Sequence, residues 1–263
     1  MNKHELRSIR LLEMLQHSKR LNVQSVARSL AISEATARRF FSQLEEEGKV
    51  IRVHGGVQLA PQLGYDYSFR ASAAHHQRQK QLIGLRAAEL VRDGERIFLD
   101  SGTTVLKLAE TLSLRIQTGT LRNLVVLTNS VTHLETIARW CKVILVGGEI
   151  RVERLDVCGS LAETNLQMFH VNKAFLGADA VSLAAGFMTT DERTAKMNQI
   201  VVDRADHAYV LADSSKFGKS SFVQYAGLDQ VETVFTDPGL GREALKAYAE
   251  AGARIQTVSE KDG

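Results

Sequence analysis

The stretch Arg96-Ile-Phe-Leu-Asp-Ser-Gly-Thr-Thr104 sets the fold class of the larger part of this 263-residue chain. Residues 96–99 form a run that suits a strand, and the residues after Thr104 have the spacing of a helix. The turn between them combines a glycine, which permits close approach, with hydroxyl and backbone N–H donors at the start of that helix. This order predicts an α/β unit whose strand-to-helix turn can hold a phosphate group.

The same alternation of short apolar runs and helix-length segments continues from Gln79 to the end of the chain. Repeated alternation of this kind predicts a mostly parallel sheet with helices on both faces, and we therefore expect an α/β fold. The predicted strands are 96–99, 124–127, 143–146, 173–176, 207–211, 233–235 and 254–258, and the predicted helices include 105–112, 131–140, 194–205 and 242–251.

A polar loop follows each of the first five predicted strands. Any one of these loops is often only a helix cap, but in an open α/β sheet ligands bind beyond the carboxyl ends of the strands, where all five would meet. Their chemistry predicts a polyhydroxylated, phosphorylated ligand, with carboxylates on its hydroxyls and Lys or Arg on its phosphate. The candidate effector-binding residues are Asp100, Ser101, Gly102, Thr103, Thr104, Thr128, Asn129, Ser130, Gly147, Gly148, Arg151, Gly177, Ala178, Asp179, Lys196, Asp213 and Lys216.

The first sixty residues have the pattern of a winged helix-turn-helix. Apolar residues recur at helical spacing in a first helix, through Leu6, Ile9, Leu12 and Leu15, and in a second helix around 23–30. Ser33 is a candidate N-cap for a third helix over 34–47. Strand-like residues on either side of a glycine turn, at 49–53 and 57–59, predict a two-stranded wing.

The third helix is predicted to enter the major groove of DNA. At about 100° per residue, Ala37, Phe41 and Leu44 point inward with Phe40 at their border, whereas Arg39 points outward among small and polar residues. Arginine in this position can read a guanine edge or pair with a phosphate, and the wing can contact the DNA backbone. The candidate DNA-binding residues are Ser33, Ala35, Thr36, Arg38, Arg39, Ser42, Gln43, Arg52, His54, Gly55 and Gly56.

The distribution of charge agrees with a DNA-binding domain in residues 1–60, which is called the head below. Residues 1–60 hold ten Lys and Arg against six acidic residues, a net charge of +4, so that the rest of a chain with net charge +3 carries −1. A basic N-terminal domain next to a nearly neutral remainder is typical of nucleic-acid-binding proteins. A requirement for solubility alone can also give such a distribution of charge.

The remaining features bound the organisation of the chain. We expect a DNA-binding domain over 1–59 with its helix-turn-helix at about 20–39, a polar and aperiodic linker over 60–78, and a sensor domain over 79–263.

No metal or other cofactor is expected, because the adjacent His75 and His76 would point apart and have no third ligand nearby. Cys141 and Cys158 lack metal-site spacing and suit a reduced state. Without a long apolar stretch or an apolar signal core, the chain is expected to be cytoplasmic.

The motifs of both halves resemble the DeoR-type family of regulators. In the head they are Arg7, Ile9, residues 23–30, Ile32-Ser33, Thr36-Ala37-Arg38-Arg39 and Arg52-Val-His-Gly-Gly56; in the sensor they are Ile83-Gly84, Asp93-Gly94, residues 99–104, residues 127–130, Gly147-Gly148 with Arg151, Gly159, residues 175–179 and residues 212–218. The chain departs from the family at Ala37, Phe40 and Phe41, where Ile, Asp and Leu are usual, and at Ala180, where Gly is usual. The resemblance implies a sensor fold related to ribose-5-phosphate isomerase, a phosphorylated sugar or polyol as effector, and a homo-oligomeric repressor on double-stranded operator DNA.

Two functions from different classes are compatible with these observations. The favoured hypothesis is a non-enzymatic repressor of a carbohydrate operon, whose effector binds one sensor state better than the other. The alternative is a sugar-phosphate isomerase with a DNA-binding appendage, which needs a carboxylate base (Asp100, Asp179 or Glu192) and a cation such as Lys196 or Lys216 beside the enediolate. For the regulator, we expect phosphate contacts from Thr103, Thr104 and Lys216 and hydroxyl contacts from Asp100, Asp179 and Asp213.

Overall fold

The computed structural model describes residues 10–11, 14–15, 18, 20–46, 50–53, 55–59 and 68–259. The chain divides into two compact units, Met1–Ala71 and Ser72–Gly263. The division lies inside the segment 60–78 that the sequence indicates as a linker.

The smaller unit is a helix-turn-helix with a three-stranded antiparallel sheet; the sequence predicts the helix-turn-helix and the two strands of the wing, but not the strand Arg20–Asn22. Residues 10–11, 14–15 and 18 are helical. The elements that follow are β1 (Arg20–Asn22), α1 (Val23–Ser29), α2 (Glu34–Glu46), β2 (Val50–Val53) and β3 (Gly56–Leu59), in the sheet order β1-β3-β2. Ser33 acts as the predicted N-cap of α2, because its Oγ accepts a hydrogen bond from the backbone N–H of Thr36 at 3.2 Å.

The core of this unit contains the apolar face that helical spacing predicts for α2. Ala37, Phe41 and Leu44 are fully buried, and Phe40 is nearly so. The wing packs closely on β1, since a Cβ atom at Gly56 would lie 1.9 Å from the carbonyl oxygen of Leu21. Only glycine permits this approach of two backbones.

The predicted linker is partly helical, which corrects the expectation of an aperiodic segment. Helix α3 (Phe69–Ala74) and the start of helix α4 (Gln77–Ala88) lie within 60–78, whereas residues 60–67 lie outside the described part of the chain. Ser68 Oγ accepts from the N–H of Ala71 at 3.4 Å and so caps α3. A six-residue helix is too short to show a hydrophobic period, and for this reason the sequence pattern did not indicate it.

The larger unit is built on a seven-stranded sheet in which every pair of neighbours is parallel. Its strand order is β15-β14-β12-β9-β4-β5-β6, and each strand corresponds to one of the seven predicted runs. The strands are β4 (Arg96–Leu99), β5 (Val125–Thr128), β6 (Lys142–Leu145), β9 (Val171–Gly177), β12 (Ala205–Leu211), β14 (Thr233–Thr236) and β15 (Ile255–Thr257).

Helices cover both faces of this sheet. Side chains along β4 alternate between two apolar clusters, because Phe98 belongs to one and Ile97 and Leu99 belong to the other. Both faces of the sheet are therefore buried, as the parallel-sheet prediction requires. The further helices are α5 (Thr103–Gln117), α6 (Val131–Ile137), α7 (Ser160–Gln167), α8 (Glu192–Asp203) and α9 (Arg242–Glu250).

Two small antiparallel additions lie outside the sequence prediction. They are a hairpin of β7 (Glu149–Arg151) and β8 (Asp156–Cys158), and a sheet of β10 (Ala180–Ser182), β11 (Gly186–Thr189) and β13 (Val223–Ala226). Within the described residues, every helix is too short or too polar to cross a membrane.

Candidate functional site

One face of α2 presents a polar surface to solvent. Ala35, Arg38 and Arg39 are exposed there, beside the half-buried Ser42 and Gln43. Arg38 Nη2 lies 3.4 Å from Glu34 Oε2, an exposed pair on successive turns. The side chain of Arg39 makes no hydrogen bond or ion pair with any other described residue. Its guanidinium is therefore the group on this surface that is most available to a base edge or phosphate.

The wing contributes a second cation next to this helix. Arg52 Nε lies 3.8 Å from Glu45 Oε2, and Arg52 Nη2 donates to the carbonyl oxygen of Arg38 at 3.5 Å. Gly55 has a φ of 78°, a left-handed conformation that suits the tight turn of the wing. The predicted contact residue His54 lies outside the described residues.

The order of the central sheet reverses between β4 and β9. From β4 the chain adds β5 and β6 on one side, and then β9, β12, β14 and β15 on the other. Ligands of open α/β sheets bind at such a reversal, beyond the carboxyl ends of the strands. There the structure brings two predicted residues together, because the N–H of Gly177 donates to Asp100 Oδ2 at 3.0 Å.

Asp100 is the carboxylate at the centre of this edge, and it is 4% exposed. Burial raises its pKa to about 6, hydrogen bonds from the N–H groups of Gly177 and Ser101 oppose this rise, and the charges of Asp156 and Asp179 add to it. A buried carboxylate whose partners are all neutral gains stability when a ligand brings further hydrogen-bond donors.

The first turn of α5 follows Asp100 and offers donors to an anion. Its N-cap is Gly102, so no side chain satisfies the first N–H groups of this helix. Thr103 and Thr104 are both buried at this position, and Thr103 Oγ1 lies 3.3 Å from Ser72 Oγ. Free N–H groups at the positive end of a helix favour a phosphate.

Lys80, on α4, is a cation of this region that sequence reasoning missed. It is 3% exposed, and its Nζ donates to the carbonyl oxygen of Ser72 at 2.6 Å. Burial lowers its pKa to about 8, the charge of Asp213 opposes this, and the charges of Lys216 and Lys107 reinforce it. The signal in the sequence was a lysine in line with the apolar side of α4, where a solvated charge is not expected.

The loop after β12 supplies the other predicted members of this end of the site. Asp213 is buried and accepts hydrogen bonds from the N–H and the hydroxyl of Ser215. Lys216 closes the short 3₁₀ turn Ser214–Lys216 and is half-buried. The charges of Asp213 and Lys216 both act on the Lys80 ammonium, which therefore lies within electrostatic range of the loop after β12.

Arg151 is not the free cation that the sequence suggested. Its Nε and Nη2 bind the two carboxylate oxygens of Asp156 at 2.8 and 2.6 Å, and its Nη1 binds Asp191 Oδ1 at 2.5 Å. Two carboxylates thus neutralise it. Asp156, on β8, is itself buried and lies 3.4 Å from the hydroxyl of Ser101, so that Arg151 positions an acceptor beside the loop after β4.

The loop after β5 lies next to Asp100, because the register of the two strands pairs Leu99 with Thr128. Thr128 and Ser130 are fully buried and use their hydroxyls within the protein, on the Leu99 carbonyl at 2.6 Å and on Thr132 at 2.8 Å. Asn129 is 2% exposed, and its Oδ1 has no hydrogen-bond partner in the described part of the chain. This buried acceptor is available to a ligand hydroxyl.

The remaining predicted residues differ in how close they lie to this edge. Asp179 follows Gly177 and Ala178 and accepts three hydrogen bonds on Oδ2, from the hydroxyls of Thr189 and Thr190 and from the N–H of Thr190. Two glycines end the loop after β6: Gly147 is exposed, and a Cβ atom at Gly148 would lie 2.5 Å from the carbonyl of Cys158. Lys196 is exposed on α8 and contacts Gln199; no contact joins it to the other described site residues.

No cluster of three or more His, Cys, Asp or Glu side chains suited to a metal ion occurs among the described residues. Cys141 and Cys158 are free thiols, the first half-buried and the second buried. The groups that this region offers to a ligand are the donors at the start of α5, the cations Lys80 and Lys216, and the acceptors Asp100, Asn129 and Asp179.

Comparison with known protein families covers both units. Residues 7–62 match the DeoR-like helix-turn-helix domain, and residues 75–238 match the DeoR C terminal sensor domain.

Relatives of similar length exist in bacteria and archaea. The HTH-type transcriptional repressor GlcR of Bacillus subtilis is 31% identical over 89% of this chain and 88% of its own length. The HTH-type transcriptional regulator GlpR of Haloferax volcanii is 29% identical over 95% of this chain and 96% of its own. Among solved structures, ribose 5-phosphate isomerase A of Methanocaldococcus jannaschii covers 54% of both chains with 22% identity and a TM-score of 0.41, a similarity too loose to support a functional argument.

Proposed function

The chain belongs to the DeoR family of DNA-binding transcriptional regulators, and we propose that it represses a carbohydrate-utilisation operon until a phosphorylated sugar or polyol binds its sensor unit. The name of the relative GlcR supports the repressor role. One observation supports this class of effector. Groups that can bind an anion, such as Lys80, occur in the same unit as buried acceptors: Asp100, whose hydrogen-bond donors are uncharged, and Asn129 Oδ1, which has no donor among the described residues.

In this proposal the effector spans the carboxyl edge of the central sheet. Its phosphate contacts the N–H groups of Thr103 and Thr104 and the ammonium groups of Lys80 and Lys216, because the positive end of a helix and a cation both favour an anion. Its hydroxyls donate to acceptors at the loops after β4, β5 and β9, and these acceptors are Asp100, Asn129 and Asp179. Thr128, Ser130 and Arg151 hold those loops in place, since their polar groups already bond within the protein.

The DNA-binding unit reads operator DNA with α2, and its wing contacts the DNA backbone. Arg39 reads a base edge, and Arg38, Arg52 and the backbone of Gly55 and Gly56 contact phosphates. The protein would work in the cytoplasm as a homo-oligomer, because paired heads match repeated operator half-sites. The effector is bound without chemical change, and no cofactor takes part.

The test of the proposal is a binding assay with two ligands. Purified protein is titrated with a duplex from the promoter of its own gene at several salt concentrations, with and without glucose 6-phosphate, fructose 1-phosphate, fructose 6-phosphate and glycerol 3-phosphate. We expect salt-sensitive binding that one of these compounds weakens. Failure to bind any duplex, or binding that no phosphorylated sugar or polyol alters, would reject the proposal.

A matched pair of variants tests the assignment of the helix. Arg39→Ala should weaken operator binding by about 1–3 kcal/mol and relax base preference, because it removes the available guanidinium. Arg28→Ala removes a guanidinium whose Nε already donates to the carbonyl of Gln24 and serves as the control. Equal effects of the two substitutions would contradict the role of Arg39.

Isomerisation of a sugar phosphate is a second candidate, favoured by one observation. A buried carboxyl with a pKa of about 6, as at Asp100, suits a general base or acid near neutral pH. Incubation with the same sugar phosphates, followed by analysis for interconverted aldose and ketose, distinguishes this activity from simple binding. Turnover that is lost in Asp100→Asn would support it.

A further inference from the structure

The segment through which the chain enters the sensor unit is attached to the phosphate end of the site. Ser72 lies in α3, the helix that spans the division after Ala71. Its hydroxyl oxygen lies 3.3 Å from Thr103 Oγ1. Its carbonyl oxygen accepts from Lys80 Nζ at 2.6 Å and from the N–H of His75 at 3.2 Å. Side chain and backbone of one residue are thus both held by the groups that surround the start of α5.

Those same groups are the ones that an effector phosphate requires. Either hydroxyl of the Ser72–Thr103 pair can be the donor, and when Thr103 donates, its one hydroxyl proton can serve either Ser72 or a phosphate oxygen. The Lys80 ammonium is buried and has a cationic neighbour in Lys216, so an anion attracts it more strongly than the dipole of a carbonyl does. Effector phosphate and Ser72 therefore compete for the Thr103 hydroxyl, and a phosphate that draws the Lys80 ammonium towards itself weakens the bond of Lys80 to the Ser72 carbonyl.

We infer that Ser72 is the coupling residue of this regulator: phosphate at Thr103 and Lys80 displaces their contacts with Ser72 and thereby loosens α3, which leads towards the DNA-binding unit. This inference rests on the proposed function, because it assigns the regulation of the same effector site. The effector can lower operator affinity only as far as it favours the loosened state over the attached one.

Two variants of the full chain separate coupling from ligand binding. Ser72→Ala removes the hydroxyl that faces Thr103, whereas the control Gln77→Ala removes an exposed polar side chain at the start of α4. Each variant is titrated with promoter duplex, with and without the sugar or polyol phosphate that shifts the wild type most. Effector couplings are typically about 5–150-fold, and Ser72→Ala should lose part of that ratio, because the Lys80 contact with the Ser72 carbonyl remains, while binding the effector at least as tightly. Gln77→Ala should keep the wild-type ratio.

A second measurement needs neither a variant nor DNA. Hydrogen exchange at the His75 amide, which donates to the Ser72 carbonyl, should become faster in the full-length wild type when inorganic phosphate or the same effector is added. Slower or unchanged exchange with phosphate bound, or a wild-type effector ratio in Ser72→Ala, would overturn the inference. If the wild type binds no duplex, the proposed function fails, and the exchange measurement still decides whether the contact is released.

Discussion

Replacing Asp100 with Asn should stabilise the sensor unit at neutral pH and weaken its binding of effector. Asparagine has nearly the same shape and keeps an oxygen for the N–H of Gly177, but it carries no charge that burial penalises. Functional sites often reduce the stability of the protein. A residue that binds a ligand is therefore expected to lower stability while it improves ligand affinity.

The size of the effect follows from the pKa of the buried carboxyl. Burial raises it from 3.8 to about 6, so the folded state holds this proton more tightly than the unfolded state does. The stabilisation that comes from this bound proton is complete when the pH is below the pKa of Asp100 in the unfolded state. It is lost as the pH rises through the pKa of Asp100 in the folded state. The difference between the two pKa values corresponds to about 3 kcal/mol, with little screening because Asp100 is 4% exposed.

Urea unfolding followed by the fluorescence of Trp140, the single tryptophan of the chain, measures this difference between pH 4 and pH 8. Asp100→Asn should gain about 3 kcal/mol over the wild type above pH 6, and the advantage should vanish near pH 4. The exposed Asp203, replaced by Asn, is the control and should show no such pH-dependent gap. Effector affinity of Asp100→Asn should fall by about 1 kcal/mol, since hydrogen bonds to charged acceptors are stronger. An advantage that is equal at pH 4 and pH 8 would refute the reasoning.

Two further groups give pH-dependent predictions. Lys80 has a pKa of about 8, so phosphate affinity of the wild type should fall as pH rises through 8; Lys80→Gln should bind weakly at every pH in calorimetric titrations. Burial lowers the pKa of His133 to about 3, so the contribution of His133 to wild-type stability should fall by about 1.4 kcal/mol per pH unit from pH 6.5 down to pH 3. His133→Asn should show a shallower acid limb in urea unfolding; an unchanged slope would contradict this assignment.

The parallel sheet could be predicted because its signal is local. Most of its strands are short apolar runs that end in a polar loop, and consecutive apolar residues such as Ile97 and Phe98 indicate a strand that is buried on both faces. The antiparallel additions could not be predicted in this way. Strands β7, β8 and β10 have three residues each, which is too short for a period of two to stand out.

The polar partners in the site were harder to predict than its location. Five loops at one sheet edge follow from the order of strands and helices, whereas the state of each side chain depends on residues far away in sequence. Asp191, 40 positions later in the chain, neutralises Arg151 in part. The charge of Asp213, in the loop after β12, raises the pKa of Lys80 on α4. Sequence spacing contains no information about such pairs. The expected roles of Thr103, Thr104 and Asp100 stay predictions that the binding experiments test.

The electrostatics of the edge also limit which phosphorylated ligands it can select. Lys80 and Asp100 are both buried in charged or partly charged form, and no ion pair joins them within the described residues. An uncharged sugar would supply donors to Asp100 but add no negative charge beside Lys80, on which the charges of Asp213 and Lys216 act in opposite directions. A sugar phosphorylated at both ends would satisfy Lys80 but place its second phosphate against Asp100 and its acidic neighbours Asp156 and Asp179. Only a ligand with one anionic end and one hydroxyl-rich end stabilises both groups. We therefore expect monophosphates to bind better than either the free sugars or the bisphosphates.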